Sequence, residues 1–281
     1  ILVSLLYPGL CFIEGDAVVA ETALTPSGRG RTADFLNYYR VAFDNGDFRG
    51  WPQWLYGSQR NYYPNHYAIG YMTLANIRTS LDYPMVVKEG YEMASRKLFD
   101  PIPMLHLAEK KSGKKFHNLF IDICHSMNEQ WQKEDSLRAP FMNYEAVVDQ
   151  PRLYTNYQEN IVVGDDIYSI KSGYLNTPQL VRIDKYGKEH FISQFSYNTG
   201  RLQWSDYFNR LYWSEDIPDE RWSMKTDSRI RYMESGRIRK RTVKAEGNLH
   251  NPTPAAGDSY LASTEYMEDG RRIVRKTGGH N

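Results

Sequence analysis

The chain has 281 residues, 41% of them hydrophobic and 25% charged, an ordinary globular balance that excludes a mainly disordered protein and leaves room for two modest cores. With 35 basic and 34 acidic side chains the net charge is +1, so no chain-wide field recruits nucleic acid or an anionic membrane, and no apolar stretch reaches the roughly 18 residues of a membrane span. Two cysteines, Cys11 and Cys124, are too few for a disulfide framework or a thiolate zinc site and read as buried free thiols.

The chain opens on Ile1, Leu2, Val3, Ser4, Leu5 and Leu6, an apolar run with neither a methionine nor a basic segment before it. The expectation is that the sequence starts inside a longer protein. From residue 12 to about 131 the apolar period is helical. In Phe12-Ile-Glu-Gly-Asp-Ala, a helix sets Glu14, Ala17, Val18 and Glu21 on one face, so two carboxylates look the same way from an apolar helix. Two readings stay open there: a site, because buried carboxylates need a partner or a metal, and a solvated amphipathic face.

The loop Thr25-Pro26-Ser27-Gly28-Arg29-Gly30-Arg31 follows, and its guanidinium groups could grip a substrate carboxylate bidentately. Residues 44–64 read as one long connection, of the kind that often carries function. A helix is expected from about Asn65 to Ser80, with Tyr67, Tyr71, Leu74 and Arg78 along one side. Asn65 is a candidate cap and His66 a candidate cleft residue. Pro101 and Pro103 begin a further helix that Gly113 ends, and Phe116, Leu119, Phe120, Ile123, Met127 and Trp131 form the stripe of another.

Near residue 145 the period changes from helical to alternating. Asn160-Ile-Val-Val-Gly-Asp-Asp-Ile-Tyr-Ser-Ile170 and the run from Gln179 through Lys185-Tyr186-Gly187-Lys188 to Phe195 read as hairpins. Arg210-Leu-Tyr-Trp-Ser-Glu215 and Ser259-Tyr-Leu-Ala-Ser-Thr-Glu265 follow similar turns, the second at Ala256-Gly257-Asp258, about 49 residues apart, which is the repeat of a propeller blade. Strands at 227–233 and 237–244, around Glu234-Ser235-Gly236, complete the second hairpin. Residues 221–244 hold nine basic and two acidic side chains, read as a charged edge that blocks strand-to-strand aggregation or as a strip for anionic glycan or lipid headgroups.

The fold class expected is therefore α+β in two domains: a mostly helical half over residues 1–140, and antiparallel hairpins over residues 145–281 forming two to three blades of an incomplete propeller. A closed propeller takes roughly four to eight blades.

The aromatic, Ile, Glu-Gly-x-Ala element around Glu14 resembles that of gluzincin metallopeptidases, the peptidase-MA-like group, and Tyr67-Ala-Ile-Gly70 is similar to the family's Tyr-x-x-Gly element. With the strand-rich half the whole resembles bacterial envelope proteins that join such a domain to a TolB-like propeller. The resemblance implies Glu14 as a zinc ligand, Tyr67 as the catalytic donor to the oxyanion, Glu21 behind the ligand, and Arg29, Arg31 and His66 on the substrate. It also implies a peptide or protein substrate, a Zn2+ cofactor, an envelope protein or glycan on the propeller, and a periplasmic or envelope location. The family's His-Glu-x-x-His is missing: none of the seven histidines lies four residues from another. The expectation is thus a fragment of a zinc peptidase, inactive and zinc-free by itself, or alternatively a non-catalytic envelope binding or scaffold protein.

Overall fold

The computed structural model describes residues 9–278 except 97–99, 101, 150, 197, 238, 258 and 268. The opening apolar run, Pro101, Ile238 of the expected 237–244 strand, Asp258 of the expected turn and His280 lie outside the described residues. The chain divides into two compact units, residues 1–144 and 145–281.

The first unit is helical: α1 (Leu10–Leu24), a 3-10 turn (Arg29–Arg31), α2 (Ala33–Asp44), α3 (Trp51–Tyr56), α4 (His66–Ser80), α5 (Val86–Arg96), α6 (Pro103–Ser112) and α7 (Phe116–Arg138). Helix α6 starts on its proline and stops at Gly113 in the left-handed region, the arrangement that spares a β-carbon penalty at the C-cap. On α7, Phe116, Leu119, Phe120, Ile123 and Cys124 are buried, while Met127 and Trp131 pack partly against the same core. That core also takes Phe12 of α1, Tyr39 and Phe43 of α2, and Ile69, Met72 and Leu74 of α4.

Residues 44–64 are not one uninterrupted connection. Pro52 sits in the first turn of α3, Trp51 and Trp54 are buried one turn apart, and the Trp51 indole donates to Thr73 Oγ1 at 3.1 Å. Burial of two indoles, at about 2 kcal/mol or more each, fixes this short helix although Gly and Pro flank it.

The second unit is antiparallel throughout its described ladders. Strands β1 (Thr155–Val163), β2 (Asp166–Gly173), β3 (Gln179–Ile183) and β4 (Glu189–Gln194) form a meander in the order β1-β2-β3-β4. Its turns use Gly164 and Gly187 at φ 62° and 76°, where a side chain would be strained. A second sheet holds β5 (Asn198–Thr199), β6 (Gln203–Ser205), β7 (Arg210–Pro218), β8 (Thr226–Glu234) and β9 (Arg241–Thr242). A third holds β10 (Leu249–Pro254), β11 (Tyr260–Tyr266) and β12 (Arg272–Gly278).

The middle sheet is buried on both faces. Leu211, Trp213 and Met233 pack with Tyr168, Ile170 and Leu180 of the first sheet, whereas Tyr212, Ile230 and Tyr232 pack with Leu249 and Leu261 of the third. Consecutive burial of Leu211, Tyr212, Trp213, Ser214 and Glu215 follows from this double cover, since neighbouring side chains of a strand point to opposite faces.

The strand expected over 237–244 is reduced to Arg241 and Thr242 in the described ladder. Side-chain pairing diverts the chain: Lys240 reaches buried Glu215 at 3.0 Å, and Arg237 and Arg241 turn to Glu234 at 3.0 and 3.6 Å. Ala245 then donates back to the Val243 carbonyl, which ends the run.

Candidate functional site

Helices α1 and α4 touch backbone to backbone, and this contact organises the site. A β-carbon built on Gly15 would overlap the main chain of Gly70, and one built on Gly70 would overlap the carbonyl of Cys11. Two glycines facing each other allow that approach, and any larger residue would push the helices apart. The glycine of the Glu-Gly-x-Ala element thus meets the glycine of the Tyr-x-x-Gly element, so Glu14 and Tyr67 stand on helices locked together at one crossing.

The ends of both helices are set locally. Thr25 is extended before Pro26, as a residue preceding proline prefers, and its hydroxyl donates to the Glu21 carbonyl at 2.8 Å. At the start of α4 the Asn65 side chain accepts from Ala68 N–H at 2.9 Å, the cap expected of it. A second tie across the pair joins Arg78 to Asp16 at 2.6 Å, both partly shielded from solvent. Neither residue of that tie was a candidate from the sequence; their helical offset from the two glycines was the available signal.

Glu21 is committed to its own loop. One carboxylate oxygen accepts Arg29 Nε at 2.8 Å and the other accepts the Arg29 backbone N–H at 3.1 Å. The Arg29 interactions hold the Glu21 carboxyl below its usual range. The same guanidinium lies 5.3 Å from the centroid of the Tyr67 ring, and His66 packs on that ring at 4.5 Å. Arg31 donates from Nη2 to the Thr22 carbonyl at 2.8 Å, and the Thr22 hydroxyl accepts from Gly30 N–H at 3.1 Å. Gly28 and Gly30 lie against Thr22 and the Tyr71 ring with no room for a β-carbon, so the Ser-Gly-Arg-Gly-Arg loop is folded down onto α1. Thr22 and Tyr71 are the positions that sequence reasoning missed.

The structure therefore gathers Glu21, Arg29, His66 and Tyr67 into one connected cluster and ties Arg31 to the end of α1. Glu14 lies half-buried on α1, on the same flank as Glu21, two helical turns away. Among the described residues, neither the Glu14 carboxylate nor the Tyr67 hydroxyl has a hydrogen bond or ion pair, and the buried Nε2 of His66 has no partner. His117 lies beside Gly50 and His125 against Phe48 at 4.1 Å, and both are exposed surface side chains.

A zinc site needs at least three protein donors in tetrahedral reach. Among the described residues no group of three or more His, Cys, Asp and Glu is gathered, and Glu14 offers one donor without an imidazole beside it. The residues present do not by themselves fit the metal. Both cysteines are free and buried, and burial raises each thiol to about 12, which removes them as ligands or nucleophiles at neutral pH.

No protein-family profile matches the chain, and no curated protein matches it in sequence.

Proposed function

We propose that the helical unit is the carboxylate half of a gluzincin-type peptidase site acting on a peptide or protein. In this reading Glu14 is one arm of a zinc centre whose imidazoles come from chain outside these 281 residues, and Tyr67 donates a hydrogen bond to the substrate carbonyl as charge develops on it. The observation that carries the reading is the Gly15 to Gly70 crossing, which couples the two motif helices, while among the described residues the Glu14 carboxylate and the Tyr67 hydroxyl have no hydrogen bond or ion pair. Arg29 and His66, on the Tyr67 ring, are placed to position substrate, with Glu21 steadying Arg29.

The three antiparallel sheets are read as successive propeller blades. Support comes from the middle sheet, covered on both faces by its sequence neighbours, as an inner blade is. A second reading is a non-catalytic envelope binding protein in which the helices are a scaffold and the sheets contact a protein or glycan; with it goes the lack, among the described residues, of a gathered group of three His, Cys, Asp and Glu.

Metal analysis separates them. The 281-residue chain should hold no stoichiometric zinc, and the chain extended by whatever coding sequence precedes Ile1 should hold one zinc if it supplies a His-Glu-x-x-His helix. In that protein Glu14→Ala should release the metal, whereas Tyr67→Phe should keep it and lower turnover by about 100-fold. Identical behaviour of the two variants, or stoichiometric zinc in the 281-residue chain, would sink the assignment, and an upstream sequence without the helix leaves the scaffold reading.

A further inference from the structure

The second unit contains a complete sheet and an incomplete one built on the same meander. In the first sheet the outer strand β4 pairs with β3 along its length, from Gln179↔Gln194 to Ile183↔Glu189. In the second sheet the outer strand β9 covers Arg231 and Tyr232 of β8, with one more bond from Val243 N–H to the Ile230 carbonyl. Strand β8 nonetheless runs from Thr226 to Glu234 and is paired with β7 over its whole length. Its edge from Thr226 to Arg229 is thus formed and twisted as a strand but has no strand beside it among the described residues.

A cleft of about 540 Å³ lies along that edge, lined by residues of β8 and of the segment that leaves β9. Ile230, Val243, Ala245 and Leu249 give it an apolar wall. Arg229 and Lys244, both exposed, border it and have no ion pair among the described residues. This separates them from Arg231 and Lys240, which are held by Glu215, and from Arg237 and Arg241, which are held by Glu234, while Arg239 is likewise without an ion pair among the described residues. Part of the edge is already covered from the side: Ser228 is buried, its N–H donates to Asn248 Oδ1 at 2.6 Å and its hydroxyl to the Leu249 carbonyl at 2.8 Å, so a side-chain amide occupies the place of a strand carbonyl.

We propose that this edge is a docking slot for an extended, carboxylate-bearing peptide from a partner protein, which adds a short strand to β8 in line with β9 and displaces the Asn248 side chain. Main-chain hydrogen bonds supply the attraction common to strand addition, and the pair of free cations selects for Glu or Asp. About four peptide residues fill the gap at roughly 3.4 Å each. Such completion also removes an unpaired sheet edge, which proteins otherwise have to protect. The inference does not depend on the peptidase reading of the helical unit.

The test is fluorescence anisotropy on the full 281-residue chain with a labelled six-residue peptide of alternating Glu and Val. Saturable binding is expected, at least tenfold tighter than for the Lys and Val counterpart. The same Glu peptide with alternate backbone nitrogens methylated should lose at least tenfold, because methylation removes strand hydrogen bonds and keeps the charge. Arg229→Glu with Lys244→Glu should weaken binding at least tenfold, and Arg229→Ala with Lys244→Ala repeats this where charge reversal disturbs folding. No saturable binding of the Glu peptide overturns the slot. Equal binding of the methylated peptide overturns strand addition and leaves simple attraction to an anion.

Discussion

At the scale of single residues, burial decides what chemistry is open to each side chain. Cys11 and Cys124 sit in the helical core, and desolvation of the thiolate pushes both thiols up to about 12. A folded-state value above the unfolded one gives a contribution to stability that is complete below the ordinary thiol value and is lost as pH rises toward the folded value. Unfolding free energy should therefore fall between about pH 9 and pH 11, and the C11A/C124A double variant should fall less steeply over that interval. In the native protein a thiol reagent at pH 8 should react at least 100-fold more slowly than in denaturant. Rapid native reaction of either cysteine would place it at the surface instead. Glu21 shows the opposite case: a half-buried carboxylate bound to the Arg29 side chain and backbone, whose task is to close a loop.

At the scale of elements, the crossing of α1 and α4 rests on the absence of two β-carbons. Gly70→Ala places a methyl group into the carbonyl of Cys11, a backbone atom with no rotamer by which to move aside. The expected loss is about 3 kcal/mol in urea unfolding, the upper part of the usual overpacking range. Glu14→Ala, one residue from the same crossing, removes no hydrogen bond or ion pair among the described residues and should change stability by no more than about 0.5 kcal/mol. A large loss for Glu14→Ala together with a small one for Gly70→Ala would show that the carboxylate, not the glycine contact, organises the pair. The short helix α3 makes a related point, because two buried indoles and the Trp51 bond to Thr73 hold six residues that flanking Gly and Pro alone would leave irregular.

At the scale of the whole molecule, the chain passes from one unit to the other through a segment rich in exposed apolar side chains. Met142 and Tyr144 are each 91% exposed, with Leu137 and Phe141 close by in sequence. Exposed chain of this kind is where a protease cuts first. Limited chymotrypsin digestion should cleave within residues 137–147 before any other site and release two folded pieces, read by intact mass and by circular dichroism of the separated products. First cleavage inside α4 or β7 would contradict two separately stable units.

The residues themselves determined the change from a helical period to an alternating one, because hydrophobic spacing is a local property that each segment carries. They also determined the Asn65 cap, the Gly113 stop and the hairpin turns at Gly164 and Gly187, which depend on backbone preferences of one or two residues. The tertiary structure alone decided that Gly15 faces Gly70 and that Arg29 bridges Glu21 and the Tyr67 ring. It alone cut the strand after Gly236 to two paired residues while Lys240 turned to Glu215. Those outcomes join positions tens of residues apart, and a contact of that kind is fixed by which surfaces meet in the packed chain rather than by the preferences of either segment.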